Sequence, residues 1–134
     1  METRNILVVD DDLTSLLFFR LLLESKGFNV ATASDGIRAL EMLENGDFRM
    51  VVTDFHMPQM SGLELAVKVR EYHPQIDVIM VTAEDPSNIL KAAVDAGISQ
   101  IFSKPVNSKT LVTTIRSSLY PEGDTVGLQR EYQP

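Results

Sequence analysis

Four points along the chain carry side chains able to do chemistry together. The run "VVDDD" (8–12) sets Asp10, Asp11 and Asp12 directly after an aliphatic stretch. Asp54 closes "VVTD", Thr82 closes "VIMVT", and Lys104 stands before Pro105 in "FSKPV". Adjacent aspartates repel. At 4 Å and an effective dielectric near 20, each pair costs about 4 kcal/mol. A cation, or side chains turned apart, must relieve that repulsion. Clustered hard oxygen donors suit Mg²⁺. A lysine and a hydroxyl beside such an ion suit a phosphoryl group, whose transfer is mostly positioning and charge stabilisation. An aspartate can also be the nucleophile, forming an acyl phosphate.

The elements that must position these groups are legible in the hydrophobic pattern. Short apolar runs at 6–9, 28–33 (weakly alternating), 50–53, 77–82 and 100–103 read as strands. Longer amphipathic stretches at 13–26, 36–46, 63–71, 86–97 and 108–119 read as helices. Gly27 and Gly97 suit helix C-termini, and Pro86 suits a first turn. The loop "MPQMSG" (57–62) follows the third strand. Strands alternating with helices predict a parallel sheet covered on both faces, a doubly wound three-layer sandwich. Ligands of such sheets bind beyond the carboxyl ends of the strands, where the four chemical points fall. Helical spacing groups Ile37 with Leu40 and Leu43, Leu63 with Ala66, Val67 and Arg70, and Leu111 with Ile115 and Leu119. In "LTSLLFFRLLLES", eight of the eleven residues from Leu13 to Leu23 are apolar, more than one buried face needs. Phe18, Phe19 and Leu22 are assigned to the sheet. Leu13, Leu16 and Leu17 are assigned to a flank near the aspartates that could dock a partner.

Composition narrows the classes. A chain of 134 residues, 44% hydrophobic, suits one compact domain with a real core. A net charge of −7 argues against nucleic acid or an anionic membrane as direct partner. There is no cysteine for a disulfide or thiolate site, and the two histidines, His56 and His73, would make zinc unusual. No targeting or membrane-spanning stretch is legible, so the expected compartment is the cytoplasm. Residues 121–134 read as a flexible tail or the start of a linker.

The four elements "VVDDD", "VVTDFHMPQMSGLEL", "VIMVTAED" and "FSKPV", in this order and spacing, resemble the receiver domain of two-component response regulators over residues 5–119. The resemblance implies a flavodoxin-like, chemotaxis-regulator-like domain at 1–120, with strand order 2-1-3-4-5. Asp54 would be the phosphoacceptor. Mg²⁺, with Mn²⁺ as an acceptable substitute, would be held by Asp10, Asp11, Asp54 and the backbone carbonyl of His56. Thr82 and Lys104 would hold phosphoryl oxygens, and Lys104–Pro105 would be a cis peptide. Side chains of His56 and Glu84 would modulate the lifetime of the phosphoryl group. Thr82 would also serve as a switch, together with the position of Ile101. Many receivers place an aromatic residue there; here the aromatic is Phe102, which strand alternation sends to the opposite face. Ser99-Gln100 departs from the acidic pair usual in winged-helix DNA-binding regulators. The implied function is a phosphorylation-activated signalling switch rather than an enzyme in its own right. A histidine kinase or phosphotransfer protein would be the donor. A downstream target or effector domain would bind the face of the fourth helix, fifth strand and fifth helix. The chain reads as a stand-alone receiver or as part of a longer regulator.

An alternative comes from the same opening residues. "DDDLT" fits D-x-D-x-T and resembles haloacid-dehalogenase-like phosphatases, with Asp10 as nucleophile and Asp12 as general acid. A flavin module of the same topology would want a Ser/Thr/Gly-rich first loop, which here is acidic. No phosphate-binding G-x-x-x-x-G-K-[ST] loop occurs.

Overall fold

The computed structural model describes residues 5–121; the expected tail or linker lies almost wholly outside them. Among the described residues, strands and helices alternate without exception. They run β1 (Asn5–Val9), α1 (Leu13–Ser25), β2 (Asn29–Ala33), α2 (Gly36–Asn45), β3 (Phe48–Asp54), α3 (Gly62–Tyr72), β4 (Asp77–Thr82), α4 (Pro86–Asp95), β5 (Gln100–Ser103) and α5 (Ser108–Leu119). All strand pairs are parallel, in the order β2-β1-β3-β4-β5. The chain steps outward from β1 to β2 and then to the other side of β1 with β3. The carboxyl ends of β1 and β3 therefore flank the switch point.

Alternation along each strand divides the core into two layers. Leu7, Val9, Val51, Val78 and Met80 point to the side covered by α2, α3 and α4. Ile6, Val8, Met50, Val52, Ile79 and Val81 point to the side covered by α1 and α5. Buried on both faces, β1, β3 and β4 need no polar alternation, which is why they read as aliphatic runs; the edge strands β2 and β5 are only partly buried.

Local chemistry sets the helix ends. Asp12, Asp35, Ser61, Asp85 and Asn107 are N-caps whose side chains accept backbone N–H bonds from the first turn. Ser61 and Glu64 form a reciprocal capping box. Gly27 and Gly97 have φ of 92° and 89°, and each follows a helix whose last carbonyls accept the next two N–H groups.

The observed helical faces correct several assignments. On α1 the buried residues are Leu16, Phe19 and Leu23, with exposures of 7%, 5% and 0%. Leu16 is core, not flank, and Phe18, assigned to the sheet, is 49% exposed. Leu22 is half-buried against the same layer. A helix apolar on most of its circumference fits several phases equally well; only the packed sheet selects one. Leu13 and Leu17 are exposed at 72% and 56%, as the flank reading requires. On α2, Ile37 is exposed and Ala39 and Leu43 are buried. On α3, Val67 and Arg70 face outward while Leu65, Ala66 and Val69 are buried. The Leu111, Ile115 and Leu119 stripe of α5 is buried as expected. Strand β3 is longer than its aliphatic run, starting at Phe48, where its register with β1 shifts.

Candidate functional site

Strand register brings the site together. Val9 of β1 lies opposite Thr53 of β3, so the next residues, Asp10 and Asp54, emerge side by side. Asp54 pairs with Val81, one residue before Thr82, and Thr82 pairs with Ser103, one residue before Lys104. The Lys104 amide extends that ladder by donating to the Thr82 carbonyl at 2.8 Å. Gly62 closes the loop after Asp54, its amide donating to the Phe55 carbonyl at 2.8 Å. A Cβ at position 62 would stand 2.3 Å from the Asp54 carbonyl oxygen, so only glycine lets α3 begin this close to the acid.

Carboxylate oxygens of Asp10, Asp11 and Asp54 all lie within 4.8 Å of one another. Asp10 is buried, Asp54 half-buried and Asp11 exposed. Lys104 answers the repulsion: its Nζ is 3.1 Å from Asp54 Oδ1 and 3.3 Å from Asp10 Oδ2. The Asp12 amide also donates to Asp10 Oδ1 at 2.9 Å. Burial raises the Asp10 pKa above its ordinary value; the charge of Asp54 adds to this, and the Asp12 amide and Lys104 only partly oppose it. Burial works against the Lys104 ammonium, but its hydrogen bond to Asp54 and the charges of Asp10 and Asp54 outweigh that and raise its pKa. The Lys104–Pro105 peptide is cis.

Thr82 is fully buried, and its Oγ1 accepts a hydrogen bond from the Glu84 amide at 2.9 Å. Accepting there leaves its O–H able to donate. At the mouth of the site, His56 Nε2 lies 2.6 Å from Glu84 Oε2. This pair joins the loops after β3 and β4. Sequence reading placed both residues beside the site but carried no signal that they would bond each other. Ile101 is half-buried against the α2–α4 layer and Phe102 against the α1–α5 layer, the opposite faces that alternation requires.

Asp12 stands apart. Its carboxylate accepts from Thr14 N and Ser15 Oγ, and these bonds, the hydroxyl's first, lower its pKa. It is the N-cap of α1 and is exposed. The phosphatase alternative needs Asp12 as a general acid; a cap with a depressed pKa is a poor one.

A parallel α/β sheet with acids from two strands, a buried hydroxyl from a third and a lysine beyond a fourth, all at the switch point, defines a phosphoryl-handling receiver architecture. The response regulator receiver domain matches residues 6–116, and the chain belongs to that family. It is 40% identical over 113 residues to chemotaxis protein CheY-3 of Vibrio cholerae, covering 82% of this chain and 87% of that protein. It is 40% identical over 109 residues to chemotaxis protein CheY of Pseudomonas aeruginosa, covering 79% of this chain and 88% of that protein. A CheY-like receiver domain from Methanospirillum hungatei superposes with a TM-score of 0.83 at 31% identity, over 88% of this chain and 94% of that one. The chain is thus a receiver domain of the phosphorylation-activated signalling type. Such domains bind Mg²⁺ at an acidic pocket and interact with histidine kinases and downstream targets. The three carboxylates here fit that ion in donor type and spacing. No helix among the described residues is long and apolar enough to cross a membrane.

The raised pKa of Asp10 has a testable sign. Folding favours its protonated form, so that contribution is present below the unfolded pKa and is lost as pH rises through the higher folded one. At neutral pH without metal the carboxylate therefore destabilises the fold. Asp10→Asn is expected to raise the thermal midpoint in metal-free buffer, by about 4 °C for each kcal/mol recovered. Millimolar Mg²⁺ should stabilise the wild type by mass action and narrow the gap. An Asp10→Asn protein that melts lower than wild type in metal-free buffer, or that gains as much from Mg²⁺, would contradict the site.

Proposed function

We propose that Asp54 is the phosphoacceptor and that Asp10, Asp11, Thr82 and Lys104 serve its reaction. The carrying observation is the Lys104 ammonium bonded to both Asp10 and Asp54 at the sheet's switch point. An Asp54 carboxylate oxygen attacks the phosphorus of a phosphohistidine, and the P–N bond to the donor imidazole breaks. Lys104 holds Asp54 in place beforehand and pairs with a phosphoryl oxygen afterwards. The Thr82 hydroxyl turns its proton to another such oxygen. Because Thr82 also holds the Glu84 amide, that turn moves the loop between β4 and α4. Mg²⁺, or Mn²⁺ in its place, bound by Asp10, Asp11, Asp54 and the His56 carbonyl, would neutralise charge on the phosphoryl oxygens. Hydrolysis returns the carboxylate and inorganic phosphate when water attacks phosphorus and the P–O bond to Asp54 breaks. The chain thereby acts as a signalling domain with its own phosphotransfer and dephosphorylation chemistry.

Two exposed apolar faces suit the two partners. Leu13 and Leu17 of α1 lie beside the aspartates and fit the helices of a histidine kinase or phosphotransfer protein. Leu90 and Val94 of α4 are exposed near β5, on the face proposed to meet a downstream target through α4, β5 and α5.

Acetyl phosphate with Mg²⁺ should phosphorylate wild type and fail on Asp54→Ala, as read by mass spectrometry. If Asp54→Ala is still modified and Asp10→Ala is not, the nucleophile is Asp10 and the phosphatase reading holds. Leu13→Ser with Leu17→Ser should slow phosphotransfer from a cognate kinase about tenfold, the loss of roughly 1.4 kcal/mol of docking. The same variant should keep its reaction with acetyl phosphate; equal loss of both would refute the docking role.

The pairing of His56 with Glu84 generates a further expectation. Breaking it with His56→Ala or Glu84→Ala should change the decay rate of phosphorylated protein without abolishing phosphorylation. Decay traces that overlay wild type for both variants would remove these residues from the account.

A further inference from the structure

Helix α1 is apolar on two faces, and the sheet uses one of them. Leu16, Phe19 and Leu23 are buried there. On the outward side Leu13, Leu17 and Leu21 follow one another at four-residue spacing, all exposed, with the exposed Phe18 beside them. Thr14 and Ser25, also exposed, are uncharged. A continuous exposed apolar run of this kind marks an interaction surface. The donor reading draws on Leu13 and Leu17. Leu21, 58% exposed, stands roughly 12 Å along the axis from Leu13, away from the acidic rim, so the stripe is longer than that reading needs. Charge narrows what covers the rest. Within α1 the only charged residues are Arg20 and Glu24, exposed beside the stripe and paired at 3.3 Å. On a chain of net charge −7, α1 is therefore a neutral element, and two copies can meet there without opposing like charges.

We propose that α1 packs antiparallel against α1 of a second copy of this chain, about a two-fold axis at the level of residue 22. A two-fold interface must be self-complementary: each residue finds its complement on the same patch of the other copy. An arginine and a glutamate four residues apart meet that condition. With the axis midway between them, Arg20 of one copy lies level with Glu24 of the other, and Glu24 with Arg20. The two intrahelical pairs then exchange for two pairs between copies. Leu21 meets its own counterpart beside the axis. Leu17 lies toward Ser25 and Gly27 of the other copy, and open space stands where a Cβ of Gly27 would be. Near-antiparallel helix pairing is an ordinary packing geometry. One helix on each side buries little area, so the dimer is weak and depends on concentration. Leu17 belongs to this surface and to the proposed donor surface, so dimer and donor exclude each other. Self-association itself does not rest on the phosphorylation reading and survives its failure.

Sedimentation equilibrium of the full-length protein over about 0.01–1 mM, the range of small interfaces, should show the average mass rising from one chain toward two. Leu21→Lys sets two cations together beside the axis. Arg20→Glu alone, and Glu24→Arg alone, each oppose like charges twice in a dimer of identical chains. Each of the three variants should raise the dissociation constant about tenfold or more. All three positions are exposed, so the monomer fold should persist, as thermal melts check. Mixing Arg20→Glu protein with Glu24→Arg protein should restore association, because every contact of the mixed pair then joins opposite charges. A change in helix stability alone would not be rescued by mixing. Wild type that stays a single chain throughout the range, association that survives Leu21→Lys, or a mixture no tighter than its components overturns the proposal. So does slowed phosphotransfer from a kinase in Leu21→Lys with no change in mass, which would assign the whole stripe to the donor.

Discussion

The parallel register of β1 and β3 forces two carboxylates together. Once Val9 sits opposite Thr53, Asp10 and Asp54 must leave the sheet as neighbours, one buried and one half-buried. Three features answer that constraint: the Asp12 amide on Asp10, the Lys104 ammonium across both acids, and the exposed Asp11 completing a set of hard oxygen donors. Burial, and after it the charge of Asp54, still leave the Asp10 pKa raised. Such a cluster of carboxylates suits the divalent cation that receiver domains bind at their acidic pocket.

The sheet keeps this site local. Its two apolar layers insulate the strands, and only the residues just beyond the strand ends reach polar surroundings. The N-caps of α1 and α4, Asp12 and Asp85, fall in the same rim of loops, yet each is spent on its own helix. Acids at this edge thus divide by environment. The exposed caps hold amides and have lowered pKa values, and the buried Asp10 has a raised one.

What could be read from sequence follows the strength of the local signal. The buried strands β1, β3 and β4 left aliphatic runs whose ends located Asp10, Asp54 and Thr82; Lys104 follows the short, partly buried β5. Caps and C-terminal glycines set the helix limits to within a residue or two. The phase of α1 was not legible, because an almost wholly apolar helix has no polar face to orient it; Leu16 and Phe18 exchanged roles for that reason. The bond from His56 to Glu84 was not legible either. It joins loops of different βα units through side chains alone, and nothing in spacing encodes it. A groove lined by Leu22 and Lys26 of the α1 end and Lys109 and Val112 of α5 is a third case, since it depends on which faces two distant helices turn to each other.

Helix α1 would let the proposed input and output surfaces be kept apart. Its N-cap Asp12 anchors it to Asp10 through a backbone N–H, and its buried face is fixed by Leu16, Phe19 and Leu23. A phosphoryl group on Asp54 would leave all of these contacts in place. The contact it would replace is that of Lys104 with Asp54, and it would draw the Thr82 hydroxyl proton, which is free to donate; these groups stand at the ends of β4 and β5. On the proposed role of Asp54, the side of the sheet that would change is the side bearing Leu90 and Val94, and the side that presents Leu13 and Leu17 would stay constant. A donor can then recognise the same α1 surface before and after transfer, and a target on α4 and β5 can tell the two states apart.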